Sequence, residues 1–262
     1  MYHGKPCWFE LSTAPEALAA AGAFYGRVLG WSVADAGMPG FTYHLASAAR
    51  EMVAGLMQMP EDCAGTPPHW MIYLDVDDVD AAAARVTALG GRVHRPPSDI
   101  PGTGRFAVVT DPQGAAFGLL QPMPMQPQPP AESGAFDQKK PGHGNWIELM
   151  SSDPAAALDF YAALLGWTRA RAVDMGEMGS YQLFSWQGRD IGGMMGLGQA
   201  PSPCWLPYFG VDGVNAAVVR IAEAGGKLAH GPIEVPGEAH IAVAQDPQGA
   251  WFAVVGPAGP AA

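Results

Sequence analysis

The chain has 262 residues, with 14 Lys and Arg against 25 Asp and Glu, and carries a formal net charge of −11. This negative charge disfavours a nucleic-acid partner, whose phosphate backbone is also negative. Hydrophobic residues make up 48% of the chain, which is too apolar for a disordered protein. No apolar run approaches the roughly 18–20 residues of a membrane helix, and residues 1–6 lack a signal-peptide core. We therefore expect a soluble cytoplasmic protein without a membrane partner.

The first 120 residues predict two successive strand–helix–three-strand patterns. Pro15 suits the first turn of a helix, where no backbone N–H is needed, and Gly30 suits its end. In the second pattern Asp77 or Asp78 suits an N-cap. The predicted elements, in chain order, are a strand at Trp8–Leu11, a helix at Ala14–Val28, strands at Trp31–Ala34, Phe41–Ala46, Met52–Met57 and His69–Val76, a helix at Asp77–Leu89, and strands at Arg92–His94, Arg105–Thr110 and Ala115–Leu120.

Residues 121–142 interrupt this pattern with six prolines in 22 positions. Such a proline density builds neither a helix nor a central strand, and favours an extended chain. We interpret this stretch as a linker between two domains, one at residues 1–120 and the other at residues 143–257.

The second half repeats the first. Phe24–Trp31 recurs as Phe160–Trp167, and Asp111–Ala115 recurs unchanged as Asp246–Ala250. Because the motifs come in the same order in both halves, the chain is a tandem duplication with four strand–helix–three-strand units in all. Its three cysteines, Cys7, Cys63 and Cys204, are too widely spaced for a disulfide framework or a zinc ribbon.

These motifs resemble those of the vicinal-oxygen-chelate superfamily, which includes glyoxalase I, extradiol dioxygenases and bleomycin-resistance proteins. The resemblance rests on Phe-Tyr before Leu-Gly-Trp and on Asp-Pro-Gln-Gly before the last strand. It covers nearly the whole chain outside the linker and tails, and is nearest to bacterial glyoxalase-like or hydroxylase-like proteins of four units. It implies an α+β fold of four βαβββ modules in two tandem glyoxalase-like domains, paired into curved eight-stranded cups. Which modules pair stays open. The concave face of each cup is left for a ligand.

Metal-dependent members of this superfamily carry His or Glu at inward positions of the first and last strands, where they hold a divalent metal. The resemblance places non-ligating residues there instead: Trp8 and Trp146, Met71 and Leu206, Gly118 and Ala253. The remaining ligand would lie within Met52–Met59 or Ile191–Gly198, and neither stretch contains His, Asp, Glu or Cys. We therefore expect no metal and no other cofactor.

Two glutamates are candidate catalytic residues. Strand alternation places Glu10 on the face of Trp8, and Glu148 on the face of Trp146. A carboxyl group beside Trp on a desolvated wall is expected to have a raised pKa, as a general acid or base requires. The structural alternative is a buried Glu that accepts hydrogen bonds from backbone N–H groups or an Arg.

The strand His69–Val76 supplies further candidate ligand contacts. If Met71 faces inward, so do His69 and Tyr73, and Tyr73 could donate a hydrogen bond to a ligand oxygen or pack within the wall. His69 is a candidate contact or a surface residue at the strand start. The repeat partners of His69, Met71 and Tyr73 are Cys204, Leu206 and Tyr208.

Three further features favour structural explanations. The acidic cluster Asp75–Asp80 lacks the glycine and final Glu of an EF-hand and predicts a helix start. Ile191–Gly196 lacks the Lys and helix of a phosphate loop, and predicts a strand whose missing side chains widen the pocket. Arg105 and His240 are polar groups either at a cup rim or at a solvated loop end.

The resulting hypothesis is a metal-independent protein that binds a small, flat or apolar organic molecule. The first alternative is an enzyme, a glyoxalase-like lyase, isomerase or oxygenase, in which Glu10 and Glu148 act as acid–base residues. The second is a metal-dependent lyase or dioxygenase with non-standard ligands. Because the chain already holds four modules, tethering replaces dimerisation and we expect a monomer.

Overall fold

A computed structural model describes residues 2–38, 40–60, 63, 65–123 and 134–260. In the first half these residues form β1 (Pro6–Thr13), α1 (Leu18–Leu29), β2 (Ser32–Asp35), β3 (Tyr43–Ala48), β4 (Glu51–Gln58), β5 (His69–Asp75), α2 (Val79–Ala88), β6 (Arg92–Ile100), β7 (Gly104–Thr110) and β8 (Ala116–Pro122). In the second half they form β9 (Gly144–Ser151), α3 (Pro154–Leu165), β10 (Thr168–Asp174), β11 (Ser180–Trp186), β12 (Arg189–Gly196), β13 (Cys204–Gly210), α4 (Val214–Glu223), β14 (Lys227–Val235), β15 (Ala239–Gln245) and β16 (Trp251–Gly256).

The strands form two eight-stranded sheets, one from each half of the chain. Their orders are β2-β3-β4-β1-β5-β8-β7-β6 and β10-β11-β12-β9-β13-β16-β15-β14. Both sheets are mixed: β1 runs parallel to β4 and β5 to β8, while the hairpins are antiparallel. The predicted α+β fold of four βαβββ modules is thus confirmed, and the two modules of one half share a sheet.

The two compact units of the chain do not coincide with the two sheets. Unit 1 comprises Met1–Cys7, Ile72–Glu132 and Ile147–Leu206, and unit 2 comprises Trp8–Met71, Ser133–Trp146 and Pro207–Ala262. Each compact unit therefore combines most of one module from the first half with most of one from the second. The domain limits expected from the sequence, residues 1–120 and 143–257, stay a prediction.

The helix ends follow the sequence signals closely. Gly30 ends α1 in the left-handed conformation, at φ 73°, and the Asp78 carboxylate caps α2 by accepting from the backbone N–H of Ala81 at 2.9 Å. The predicted start at Ala14 is early, because Pro15–Ala17 forms a 3-10 turn without a capping side chain before α1 begins at Leu18.

The core of unit 2 contains a chain of buried polar groups. The indole N–H of Trp70 donates to the Tyr25 hydroxyl at 2.9 Å, and this hydroxyl donates to Oδ2 of Asp246 at 3.0 Å. Burial raises the pKa of Asp246, and burial followed by the Asp246 charge raises the pKa of Tyr25. The Phe-Tyr motif of one module thus bonds to the Asp-Pro-Gln-Gly turn of another.

Unit 1 contains the equivalent chain. Trp205 donates to the Tyr161 hydroxyl at 3.1 Å, and Tyr161 donates to Asp111 at 3.2 Å. The other oxygen of Asp111 accepts from the backbone N–H groups of residues 113, 114 and 115, which shapes the turn. The two repeated motifs therefore have a structural role, because each satisfies polar groups of the other.

The Trp of each Leu-Gly-Trp motif also has a defined partner. Trp31 donates to the carbonyl of Gly142, and Trp167 donates to the carbonyl of Gly4, both at 2.7 Å. Gly142 has a φ of 76°, and a Cβ there would lie 2.8 Å from that of Ala48. Glycine is therefore required at this close approach.

Two predicted stretches differ from the structure. The strand predicted at Arg92–His94 continues to Ile100, because β6 lies at the edge of its sheet, where Pro96 removes no needed hydrogen-bond donor. Residues 124–133 of the predicted linker lie outside the described residues. Its last part is packed: Phe136 is buried and bridges to Gly144.

None of the helices in the described ranges combines the length and the apolar character needed to cross a bilayer. Cys7 and Cys204 are free thiols. Cys63 is exposed.

Candidate functional site

Strand β1 divides its side chains between two faces. Phe9 and Leu11 are completely buried, and Phe9 packs edge-on against Phe209 in the core of unit 2. Trp8 and Glu10 are half-buried and alternate with these core residues. The two candidate residues therefore share the face of β1 that does not face this core.

On this face Tyr43 joins Trp8 to Glu10. The indole N–H of Trp8 donates to the Tyr43 hydroxyl at 2.9 Å, and that hydroxyl donates to Oε2 of Glu10 at 2.9 Å. Burial first, and the Glu10 charge second, raise the pKa of Tyr43 well above its usual range. Tyr43 therefore stays a neutral donor toward Glu10. We call these three residues the Trp8 triad.

Sequence reasoning missed Tyr43, although it lies in a predicted strand. The available signal was its repeat partner, because Tyr181 occupies the same place in β11. Glu10 pairs in register with Gly55, and Glu148 pairs with Gly193. A Cβ on Gly55 would overlap the Tyr43 hydroxyl, and a Cβ on Gly193 would overlap the Tyr181 ring.

An exposed ring extends the Trp8 triad. Phe41 stacks on Tyr43 with a centroid distance of 6.1 Å and an interplanar angle of 28°. Phe41 is 41% exposed, so part of this aromatic surface of unit 2 reaches solvent. We refer to Phe41 and the Trp8 triad together as the aromatic face.

In unit 1 the second glutamate has a thiol neighbour. Burial, and then the charge of Glu148, raise the pKa of Cys204. Cys204 is therefore a protonated thiol rather than a nucleophile. Trp146, like Trp8, is half-buried.

The Tyr73 ring fills the space beside Gly118. The two residues pair in register, Tyr73 is 5% exposed, and a Cβ on Gly118 would overlap its ring. In β12 the rings of Tyr181 and Phe184 likewise cover Gly193 and Gly192. Gly192 and Gly193 therefore do not widen a pocket in β12, contrary to expectation, whereas a Cβ on Gly196 would meet nothing within 4 Å. The stretch is a strand, as predicted.

The other residues predicted to contact a ligand differ in how deeply they are buried. Tyr208, Leu206 and Ala253 are buried, and Tyr208 pairs in register with Ala253 in unit 2. Met71 and His69 are half-buried, and a ring nitrogen of His69 lies 3.0 Å from the Pro67 carbonyl.

The donor set does not fit the metal that the family resemblance implies. Within the described ranges, no three His, Cys, Asp or Glu side chains are grouped so that they could hold a metal ion. Beside Glu10 the structure places an indole and a protonated phenol, and neither is a ligand that divalent metals prefer.

Arg105 belongs to an ion-pair network rather than to a ligand site. It donates to Asp80 at 2.7 and 3.0 Å and to Asp99 at 2.7 Å. Two members of the acidic cluster therefore have structural roles, because Asp78 caps α2 and Asp80 pairs with Arg105. The repeat partner His240 has a buried Nδ1 without a hydrogen-bond partner in the described chain.

An open cleft of about 520 Å³ lies elsewhere in unit 2. It carries charges of both signs, and no member of the aromatic face lines it. Its charged lining residues are Lys139, Lys140, Asp212 and Glu238.

Comparison with known proteins places this geometry in a family context. The sequence model of the Glyoxalase/Bleomycin resistance protein/Dioxygenase superfamily matches residues 14–119 and 144–254. "Putative glyoxylase CFP32" of Mycobacterium tuberculosis is 36% identical over 262 residues, covering 97% of this chain and 95% of the relative. "Anthracycline biosynthesis protein DnrV" of Streptomyces peucetius is 35% identical over 269 residues, covering 96% and 93%.

Solved structures share the fold at low sequence identity. The 2,2',3-trihydroxybiphenyl 1,2-dioxygenase of Sphingomonas wittichii RW1 superposes with a TM-score of 0.69 at 14% identity, covering 97% of this chain and 90% of the dioxygenase. The Mn(II)-bound glyoxalase of Novosphingobium aromaticivorans gives 0.64 at 17% identity, covering 97% and 83%.

Proposed function

The chain belongs to the Glyoxalase/Bleomycin resistance protein/Dioxygenase superfamily, and we propose that it binds a planar organic molecule on the aromatic face without a metal. The observation that carries this proposal is the hydrogen-bond chain from Trp8 through Tyr43 to Glu10. The family resemblance assigns Trp8 to the first-strand position of a metal ligand, and the hydrogen-bond chain offers ring surface beside a carboxylate.

The chemistry of the aromatic face suits a flat ligand. A planar molecule can stack on the exposed Phe41 ring, and aromatic pairs gain about 0.5–1.5 kcal/mol beyond the area that they bury. A ligand hydroxyl can donate to the Glu10 carboxylate, since an ionised carboxylate accepts several hydrogen bonds. Stacking and a directional hydrogen bond would orient such a ligand without any catalytic group.

The relatives support a polycyclic ligand. One of them is named for anthracycline biosynthesis, and the anthracycline nucleus is a planar fused-ring quinone with phenolic hydroxyl groups. Such a compound has both the flat surface that would stack on Phe41 and the donors that Glu10 would accept from.

A binding titration tests this proposal. The full chain is titrated with 1,4-dihydroxyanthraquinone, followed by tryptophan fluorescence and by calorimetry, and saturable quenching is expected. Phe41→Ala and Trp8→Ala should each weaken binding about tenfold, equivalent to about 1.4 kcal/mol. Trp251→Ala is the matched control, because Trp251 is an exposed aromatic outside the aromatic face. Absence of saturable binding, or equal losses in Trp251→Ala, would refute the proposal.

Metal analysis of the purified protein is the companion measurement. Elemental analysis by mass spectrometry should find zinc, nickel, manganese and iron far below one atom per chain. A stoichiometric metal that survives dialysis would favour a metal-dependent lyase or dioxygenase with non-standard ligands instead.

A second candidate function is acid–base catalysis by Glu10, with Glu148 in the equivalent place. The bond from Tyr43 to Glu10 favours it, because it holds a carboxylate, which is a proton acceptor, in a fixed place on this face. Tyr43 itself keeps its proton. Isomerisation of the adduct of methylglyoxal and glutathione is the assay. Catalysis by Glu10 would be established if the wild type turns over this substrate and Glu10→Gln does not, while Glu10→Gln still binds the anthraquinone. If the wild type is as inactive as Glu10→Gln, catalysis of this reaction is refuted.

A further inference from the structure

Unit 1 carries a separate combination of a cation and aromatic rings. The guanidinium of Arg95 lies 4.8 Å from the centroid of the Phe106 ring. Phe106 lies 6.5 Å, centroid to centroid, from Tyr73, which in turn covers Gly118. The guanidinium, Phe106 and Tyr73 thus form a continuous wall, which we call the Arg95 wall.

The backbone directs Arg95 onto this wall. Arg95 pairs in register with Val108, and the register of β6 with β7 shifts both before and after Arg95. Such irregularities turn a side chain away from the direction that a regular strand would give it. Val108 itself pairs with Gly118, so Arg95 lies on the strand face that carries Tyr73 and Phe106.

Arg95 differs from the other arginines in its contacts. Arg105 pairs with Asp80 and Asp99, and Arg27 pairs with Glu223. Arg95 is exposed and, like Arg92, has no carboxylate partner in the described ranges, although acidic residues outnumber basic ones by 25 to 14. Unlike Arg92, it lies over an aromatic ring. A structural role in an ion pair therefore does not explain it.

The guanidinium of Arg95 lies over the Phe106 ring, and a guanidinium that stacks flat on a ring keeps its N–H edges available. A cation–π contact uses the flat face of a guanidinium. Its N–H groups point outward in the plane, where they match the two oxygens of a carboxylate. An arginine that is already oriented by a ring loses less side-chain entropy when it binds an anion.

From this geometry we propose that the Arg95 wall binds planar organic anions, specifically aromatic carboxylates. The carboxylate pairs with the edge of the Arg95 guanidinium, and the apolar body of the ligand packs against Phe106 and Val108. All of these residues belong to unit 1. The proposal therefore stands independently of the aromatic face in unit 2.

The second half provides an internal comparison. His230 occupies the place of Arg95 in the repeat, is paired with Val243, and is also flanked by register shifts. Ile241 stands where the first half has Phe106. The register shifts are thus present in both halves, but only the first half combines them with a permanent cation, Arg95, and an aromatic ring, Phe106.

The experiment uses 2-naphthoate and its neutral counterpart 2-naphthamide, titrated into the full chain by calorimetry and ligand-observed NMR. Saturable binding of 2-naphthoate is expected, and Arg95→Ala should weaken it about tenfold, as loss of a charge-assisted pair predicts. Arg95→Lys should retain part of the affinity, because lysine keeps the positive charge but cannot pair with both carboxylate oxygens through planar N–H groups. Binding of 2-naphthoate should also weaken as salt is added.

Arg92→Ala is the matched control, since Arg92 is an exposed arginine of the same strand, and it should leave the affinity unchanged. Competition distinguishes this site from the aromatic face, because 2-naphthoate should still bind when 1,4-dihydroxyanthraquinone is saturating. The proposal is overturned if the wild-type chain does not bind 2-naphthoate saturably. Equal losses in Arg95→Ala and Arg92→Ala, or equal affinity for 2-naphthamide, would overturn it as well.

Discussion

The Tyr25 hydroxyl donates a 3.0 Å hydrogen bond to Asp246, although 221 residues separate the two in sequence. Both groups are buried, and Trp70 donates to the same hydroxyl. Tyr161 and Asp111 form the same pair in unit 1. The most recognisable motifs of the sequence therefore hold the fold together.

Removing the Tyr25 hydroxyl should destabilise the protein. Tyr25→Phe leaves the Trp70 indole N–H and one Asp246 oxygen without this partner, and an unsatisfied buried group costs about 1–3 kcal/mol. Urea unfolding followed by circular dichroism should show this loss. Tyr2→Phe, at a tyrosine that is 36% exposed, should unfold like the wild type; unchanged stability of Tyr25→Phe would contradict the assigned role.

Asp75 should make stability depend on pH. Burial, and secondarily the charge of Asp77, raise the pKa of Asp75 to about 6, whereas the unfolded value is about 3.9. Between these values the folded chain binds more protons than the unfolded chain. The free energy of unfolding contributed by Asp75 therefore falls as pH rises from about 4 to about 6, and is constant above that.

Asp75→Asn isolates this contribution. The difference in unfolding free energy between wild type and variant, measured by urea denaturation across this range, should shift in favour of the variant as pH rises. A difference that is flat from about pH 4 to 7 would show that Asp75 has an ordinary pKa.

A methyl group at Gly55 should disturb the Trp8 triad. It would overlap the Tyr43 hydroxyl, so Tyr43 must move away from Trp8 and Glu10. Overpacking of this kind typically costs about 1–3 kcal/mol, and anthraquinone binding should weaken with it. Gly196→Ala is the control, because a Cβ there meets nothing within 4 Å; it should change stability by less than about 0.5 kcal/mol.

Histidine in place of the first-strand tryptophans should increase metal uptake. In Trp8→His the new imidazole joins Glu10 on one face of β1, and imidazole and carboxylate are both zinc ligands. Trp146→His does the same beside Glu148. Zinc retained after dialysis should rise in both variants but not in Trp251→His, whose tryptophan is 49% exposed. Equal zinc in all three would argue against the inward position of Trp8 and Trp146.

The chain should be a monomer in solution. Each compact unit already combines modules from both halves, so modules pair within one chain and no second chain is needed for that pairing. Sedimentation velocity at micromolar concentration should give the mass of one chain. A stable dimer would show that another surface drives association.

Local signals predicted most of the fold, because they act over a few residues. Gly30 and Asp78 stand where helix-ending and helix-capping residues were expected, and the alternation in β1 placed Trp8 and Glu10 on one face. The packed end of the linker at Phe136 was not predictable in this way. The proline count around it indicated an extended chain, whereas Phe136 is buried and bridges to Gly144.

The candidate site was predicted only in part, for a related physical reason. Sequence spacing relates residues of one strand, but Tyr43 reaches Glu10 across β4, where Gly55 leaves room for its ring. That contact depends on sheet register, which a single sequence does not specify. The same holds for Arg95, whose direction depends on the irregular pairing of β6 with β7.

The reciprocal motif pairs also bear on ancestry. One half of the chain contains Tyr25 and Asp111, yet in the intact protein neither is the other's partner. An ancestor with a single half could have satisfied both groups only by exchanging them with an identical copy, Tyr25 of each molecule reaching Asp111 of the other. Gene fusion would have turned this symmetric contact into two different ones, Tyr25 with Asp246 and Tyr161 with Asp111. In the intact chain a change at Tyr25 or Asp111 therefore affects a partner in the other half, Asp246 or Tyr161.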